Sequence, residues 1–286
     1  MNQLKLFRDL TRLNKPIGYM LLFWPCSWGL SFAYHQDQDL NKFLYFLFLF
    51  FLGSVLMRSA GCIFNDIIDK DLDKKVKRTK NRPIASGLIT LKKSFFYVVV
   101  LCLLSFLILI QFNSLTIFLG LASMVLAFAY PFMKRITYWP QLFLGLTFNW
   151  GIIMAWTSIA NEISLEILLL YLLAIFWTLG YDTIYGTQDL IDDEIIGNKS
   201  TSIKFKKNLK KFVSLCYALT SILLIYLHYR FMNINFSIIF TLLFVLTLIY
   251  QIKIFKKNKP EKCLQAFKLN NFSGLALFLS IFLQSI

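Results

Sequence analysis

Two short acidic segments contain the side chains with the clearest potential for chemistry. The first runs from Asn65 to Asp73 and directly follows a long apolar run. In a continuing helix, positions i, i+1, i+4 and i+8 of one face would be Asn65, Asp66, Asp69 and Asp73. Neighbouring carboxylates repel each other unless a cation lies between them. Oxygen ligands suit a hard ion, so the segment predicts a Mg²⁺ site, and Mg²⁺ commonly binds together with phosphate.

The second acidic segment runs from Tyr181 to Asp193 and has a similar arrangement. Its carboxylates at positions i, i+7 and i+11 are Asp182, Asp189 and Asp193, again on one helical face. Either segment alone is typical of a solvated loop or a helix cap, but their matching spacing favours a shared site. We expect the two faces to converge on one diphosphate, each holding one Mg²⁺ that bridges phosphate oxygens.

Basic residues accompany both acidic segments. Arg58 lies about two turns before Asn65 inside an apolar run, where a charge without a partner is costly. Arg82 lies in the loop after the first segment, and Lys134 follows a later apolar run. Guanidinium and ammonium groups suit phosphate and carboxylate, so these side chains are candidates for substrate binding.

The elements that must position these residues are long apolar helices. Of the 286 residues 57% are hydrophobic, and the mean hydropathy is +0.62. This composition predicts an all-α, polytopic membrane protein, a bundle of about nine transmembrane helices. The predicted spans are Ile17–Tyr34, Phe43–Phe64, Ser94–Gln111, Leu115–Met133, Tyr138–Thr157, Leu165–Tyr181, Phe212–Tyr229, Phe236–Ile252 and Phe272–Ile286.

The charge distribution predicts the orientation of the bundle. The net charge is +15, and all but two of the 30 Lys and Arg residues, Lys42 and Arg230, fall on one side of the predicted spans. The positive-inside rule therefore places the amino terminus and the opening of the active site on the cytoplasmic side. It also explains the basic charge without nucleic acid, which we do not expect as a partner.

No composition boundary separates a soluble domain from the apolar spans. We therefore expect one membrane-embedded domain over residues 1–286. The amino terminus shows no small-residue cleavage site before the first span, so a removable signal peptide is not expected. The five cysteines are scattered without metal-ligand spacing and are expected to pack as small apolar residues.

Several motifs together resemble those of the UbiA-type membrane prenyltransferases, and within them the branch that prenylates 4-hydroxybenzoate in ubiquinone synthesis. One departure is Asn14, where that family usually has Asp. The matching segments are Arg12 to Gly18, Trp24-Pro25, Arg58 to Asn65 with the acidic residues that follow, Arg82 to Gly87, Tyr130 to Arg135, Pro140-Gln141 and Asp182 to Asp193.

The resemblance implies a nine-helix bundle in a bacterial inner membrane that transfers a polyprenyl group from polyprenyl diphosphate to 4-hydroxybenzoate. It implies that Arg82 and Lys134 contact the diphosphate and that Arg58 meets the carboxylate of the acceptor. Tyr130 and Asp182 lie where the family stabilises or deprotonates the reacting species. The implied Mg²⁺-diphosphate ligands are Asn65, Asp69, Asp73, Asp189 and Asp193, with Asp66 in the same motif.

Two alternatives remain open at this stage. The same family includes enzymes with other acceptors, such as a naphthoate or haem, although Arg58 and the segment Arg82 to Gly87 favour a small aromatic acid. A membrane transporter would also contain intramembrane charge. The acids here lie at helix ends on one side, and no pair of Gly- or Pro-broken spans is evident, so the sequence favours the enzyme.

Overall fold

The computed structural model describes residues 3–232 and 235–284, and this part of the chain is helical throughout, without a strand. Turns, one 3₁₀ turn and a longer loop over residues 74–90 connect the helices. Their bounds are α1 Gln3–Thr11, α2 Ile17–Asp37, α3 Leu40–Ile68, α4 Lys70–Asp73, α5 Leu91–Leu109, α6 Ser114–Ile136, α7 Pro140–Ala160, α8 Leu165–Gly186, α9 Leu190–Ile195, α10 Thr201–Lys204, α11 Leu209–Phe231, α12 Ile238–Ile254, α13 Pro260–Lys268 and α14 Asn270–Phe282.

Eight of the predicted apolar spans fall on helices of at least 17 residues, and most of the described part of the ninth falls on α14, which ends at Phe282. In a bilayer the backbone must satisfy its own hydrogen bonds, which favours helices over these runs. Side-chain caps mark the starts of three of the long helices: Asp39, Thr90 and Asn113 each accept a hydrogen bond from the backbone N–H three residues later. The predicted bounds are close, but α2 continues three residues past Tyr34 and α3 continues four residues past Phe64.

The described residues contain six helices that are long and apolar enough to cross a membrane, and α12 is a shorter apolar helix. The protein is therefore an integral membrane protein of the all-α class. The count of nine spans stays a prediction. The last predicted span reaches Ile286, and residues 285–286 lie outside the described part of the chain.

The bundle is built around α2, α7 and α8. Helix α2 packs against α3, α7 and α14, α8 packs against α7 and α11, and α5 and α6 lie outside them on α3 and α7. Gly29 permits the close approach of α2 to α7, because a Cβ there would lie 2.2 Å from the carbonyl oxygen of Ile152. Small residues at such crossings are typical of membrane helices.

The basic segments meet at one end of the bundle, which we call the basic end. The backbone N–H of Lys199 donates to the carbonyl of Lys134 over 2.7 Å, and Lys257 Nζ donates to the carbonyl of Lys206 over 3.1 Å. At the opposite end, Lys42 pairs with Asp37. The one-sided charge of the sequence is thus a real asymmetry of the fold, and both acidic segments lie at the basic end.

Candidate active site

The first acidic segment continues the line of α3. The backbone N–H of Asp69 donates to Asn65 over 2.9 Å, and that of Asp73 donates to Asp69 over 2.8 Å. Asn65, Asp69 and Asp73 therefore share one face, as their spacing predicts. Asp71 lies off this face, with 86% of its side chain exposed and Lys74 as its ion-pair partner.

The second acidic segment follows the same course at the end of α8. This helix ends at Gly186, a 3₁₀ turn spans Thr187–Asp189, and α9 begins at Leu190. The side-chain amide of Asn198 donates to Asp193 over 2.8 Å and holds this carboxylate in place. Asp182 lies two turns earlier on α8, deeper in the bundle.

The two segments face each other across a polar cavity of about 180 Å³ at the basic end. The cavity also contains the predicted diphosphate contacts Arg82 and Lys134. Asp66 and Asp182 do not line it. The predicted metal ligands that do are Asn65, Asp69, Asp73, Asp189 and Asp193. Five side chains from segments more than 100 residues apart thus meet in one place.

Cationic side chains pair with three of the four carboxylates of this polar cavity, Asp69, Asp73 and Asp189. Asp69 pairs with Lys134 and Arg135, and Asp73 accepts from Arg82 over 2.8 Å. Across the part of the chain that the structure describes, no three His, Cys, Asp or Glu side chains are grouped closely enough to hold a metal ion. The predicted ligands therefore share a cavity without forming a closed coordination sphere.

Arg78 ties the loop after the first acidic segment to the second acidic segment, a role that the sequence analysis did not assign. Its Nε donates to Asp189 over 2.8 Å, and its Nη1 donates to the Tyr185 hydroxyl over 3.0 Å. Its position four residues before Arg82 in the same loop is the signal that could have identified it. Burial alone would lower the pKa of Arg78, but Tyr185 and Asp189 raise it overall, so the guanidinium stays charged.

A second, larger cavity of about 1640 Å³ extends from the basic end into the apolar part of the bundle. Arg58, Tyr130 and Asp182 line its polar part, and side chains such as Phe112 and Met154 line its apolar part. Arg58 Nε is buried without a hydrogen-bond partner, and its guanidinium lies 5.6 Å from the centre of the Phe148 ring. A half-buried cation that lines a cavity and lacks an ion-pair partner among the described residues is suited to an anionic ligand.

The two cavities meet at a shared set of side chains. An ionic headgroup in the polar cavity and an apolar chain in the larger cavity would join at this boundary. The residues that line both cavities are Asn65, Arg78, Thr79, Arg82, Tyr130 and Pro131.

Exposed apolar side chains of α5 and α6 form part of the wall of the larger cavity. Val99 and Leu103 on α5 and Leu121 on α6 line the cavity, and each is exposed. A long apolar tail could therefore pass from the cavity into the bilayer between these helices.

This fold and these cavities define a class: an all-helical integral membrane protein in which a charged cavity opens into an apolar one. The chain matches the UbiA prenyltransferase family over residues 22–279. It belongs to this family.

Similar proteins agree with this assignment. The chain is 42% identical over 281 residues to a 4-hydroxybenzoate octaprenyltransferase of Vibrio vulnificus, covering 97% of this chain and 96% of that protein. The fold resembles a UbiA homologue from Aeropyrum pernix with a TM-score of 0.80, 21% identity and coverage of 94% and 99% of the two chains. It also resembles a UbiA homologue from Archaeoglobus fulgidus bound to GPP and Mg²⁺, with a TM-score of 0.70, 18% identity and coverage of 97% and 99%.

Proposed function

We propose that this protein transfers a polyprenyl group from polyprenyl diphosphate to 4-hydroxybenzoate in ubiquinone biosynthesis. The new bond forms at the ring carbon meta to the carboxylate, and diphosphate is released. The observation that carries the proposal is the boundary at which a charged cavity meets a long apolar one. The name of the Vibrio relative, which is 42% identical, supports the choice of acceptor.

The polar cavity would bind the diphosphate with a divalent ion, for which we propose Mg²⁺. The side chains present are carboxylates and one amide, the oxygen donors that suit this ion. When bound, Mg²⁺ neutralises the diphosphate and makes it a better leaving group. The Archaeoglobus structure with GPP and Mg²⁺ supports this choice. The residues that would hold the ion are Asn65, Asp69, Asp73, Asp189 and Asp193, all of which line the polar cavity.

The diphosphate would also contact the basic side chains of the polar cavity. Lys134 and Arg82 now pair with Asp69 and Asp73, and Arg78 pairs with Asp189. These ion pairs would hold the basic and the acidic side chains in place in the absence of substrate. On binding, the basic side chains would contact the diphosphate and the carboxylates would contact its metal ion. Electrostatic stabilisation of the departing diphosphate is the main contribution of these residues.

The acceptor would lie in the polar part of the larger cavity. Arg58 is the natural partner for its carboxylate, since Nε is buried without a hydrogen-bond partner. The bond between the prenyl carbon and the diphosphate oxygen breaks, and the ring carbon bonds to that prenyl carbon. Asp182 would take the ring proton, and Tyr130, at the boundary of the cavities, would stabilise the allylic cation. The apolar walls limit capture of that cation by water.

We propose a single membrane-embedded domain over residues 1–286 in a bacterial inner membrane. The basic end, with the amino terminus and the polar cavity, faces the cytoplasm. This orientation follows from the concentration of lysine and arginine at one end of the bundle. A water-soluble acid would then enter from the cytoplasm and a prenyl donor from the bilayer.

The test is prenylation by the purified protein in lipid nanodiscs. We expect prenylated 4-hydroxybenzoate and stoichiometric diphosphate when polyprenyl diphosphates of several lengths are supplied with Mg²⁺. Parallel reactions with a dihydroxynaphthoate and with haem address the other acceptors. Diphosphate release with one of those acceptors and none with 4-hydroxybenzoate would refute the proposed acceptor. Absence of diphosphate release with every acceptor would refute the prenyltransferase assignment itself.

A further inference from the structure

Asp66 differs from the other acids of the first segment in what surrounds it. Its side chain is only 2% exposed, and it lines the larger cavity rather than the polar one. A single oxygen, Oδ1, accepts from two guanidiniums, those of Arg12 and Arg82, the latter over 3.0 Å. Asp69 also has two cationic partners but lines the polar cavity. Asp66 does not line that cavity and its accepting oxygen is already shared by two guanidiniums, so it is poorly placed to be a ligand of an ion bound there.

Arg12 reaches Asp66 from the amino-terminal helix. Helix α1 is amphipathic and buries Leu6 and Leu10 in an apolar cluster that includes Ala60 and Ile63 of α3. The chain then turns at Arg12, whose φ is 57°. This left-handed conformation favours glycine, and an arginine keeps it only where its surroundings hold it there. Here the side chain is held between Asp66 and the thiol of Cys62, 3.7 Å from Nη1.

Arg82 extends the same network to the polar cavity. Its Nη1 donates both to Asp66 and, over 2.8 Å, to Asp73. Arg82 lines both cavities, whereas Arg12 lines the larger one. The chain of contacts therefore runs from the amino-terminal helix through Asp66 to a residue that faces the diphosphate.

We infer that Asp66 is a positioning residue and not a metal ligand: its buried carboxylate holds Arg82 toward the diphosphate and fixes Arg12, so that α1 forms part of the wall of the active site. This inference rests on the proposed function, because it assigns Arg82 to the diphosphate. It separates Asp66 from the ligand set that its sequence motif suggests.

The decisive measurement compares D66N with D69N and with D71N, an exposed acid of the same segment. At saturating prenyl donor, the Mg²⁺ concentration that gives half of the maximal rate is the same in D66N as in the parent protein. Its KM for the donor rises about tenfold or more, the loss expected for a misplaced charge-assisted hydrogen bond. D69N loses turnover or needs much more Mg²⁺, and D71N matches the parent. A Mg²⁺ requirement that shifts in D66N as it does in D69N would overturn the inference.

A double-mutant cycle tests the link to α1. R12A, D66N and the combined variant have coupled effects on the donor KM if the two residues act together, whereas independent residues have additive effects. R12K restores part of the loss, and R8A, a change at an exposed residue of the same helix, has no effect. If D66N fails to fold, as judged by size-exclusion chromatography, R12A alone still tests the role of α1, since it leaves the Asp66–Arg82 pair intact. An unchanged donor KM in R12A would refute the role of α1.

Different results would refute the proposed metal site and the positioning role of Asp66. A D69N variant with the full activity and Mg²⁺ requirement of the parent would refute the metal site of the proposed function. A normal Mg²⁺ site with a D66N variant that behaves like D69N would refute only the positioning role of Asp66.

Discussion

Asp69 and Asp189 occupy equivalent positions in the two acidic segments: each is the residue directly before the short helix that follows a long one. Their backbone angles are nearly the same, with φ −93° and ψ 4° at Asp69 and φ −106° and ψ 12° at Asp189. This bridge region is sparsely populated and frequent at active sites. In both segments the acid four residues later, Asp73 or Asp193, lines the same polar cavity.

Because of this equivalence, we expect D69N and D189N to have similar effects. Each removes one charged oxygen ligand from a shared diphosphate site, so the rate of prenyl transfer in purified membranes falls at least about 100-fold. D71N, at an exposed acid of the first segment, retains the parent rate. Full turnover in either D69N or D189N would contradict a site built from both segments.

Removal of the divalent ion tests the oxygen-donor set directly. We expect EDTA to abolish diphosphate release and excess Mg²⁺ to restore it, because the carboxylates of the polar cavity cannot bind an anion without a cation. The measurement is diphosphate release in nanodiscs after chelation and stepwise readdition. Undiminished release in EDTA, with the ions removed by gel filtration, would exclude metal assistance.

Arg58 is expected to act on the acceptor and not on the donor. R58A removes the half-buried guanidinium beside Phe148 and, on the proposed role, would leave the acceptor carboxylate without its partner. Loss of a charge-assisted pair of this kind corresponds to an increase of about 10- to 100-fold in the KM for 4-hydroxybenzoate. The KM for the prenyl donor stays near that of the parent. If the donor KM rises and the acceptor KM does not, the assignment of Arg58 is wrong.

A matched pair of glycine variants tests the packing of α2. A Cβ at Gly29 would clash with the backbone of Ile152, whereas at Gly53 nothing lies within 4 Å of the added atom. We expect G29A to lower the melting temperature by about 5 °C or more and G53A to change it by about 2 °C or less. Thermal unfolding in detergent measures both. Equal melting temperatures would mean that the α2–α7 crossing is looser than the structure shows.

The orientation of the bundle can be tested with cysteines placed at its two ends. K207C, exposed at the basic end, is expected to react with a membrane-impermeant maleimide only in inside-out vesicles. E162C, exposed in the turn between α7 and α8, is expected to react only from the other side. The parent chain is the control, since its cysteines are buried or half-buried. The reverse labelling pattern would place the basic end outside.

Much of this molecule could be predicted without coordinates, because the relevant signals are local. Runs of apolar residues predicted the long helices, and the spacing of Asn65, Asp69 and Asp73 correctly predicted a common face. The one-sided distribution of lysine and arginine predicted that both acidic segments would lie at the same end. Hydropathy and helical periodicity depend only on residues that are close together in the sequence, so these features can be deduced from the amino-acid sequence alone.

The tertiary structure decided which of these side chains meet. Asp66 belongs to the first acidic segment by sequence, yet the turn at Arg12 and the path of the loop to Arg82 give it two guanidiniums and keep it out of the polar cavity. Arg78 meets Asp189 although 111 positions separate them. Periodicity determines the face of a helix on which a residue lies. The rotation of that helix and the path of each loop depend on packing between distant segments, and only the folded structure shows this packing.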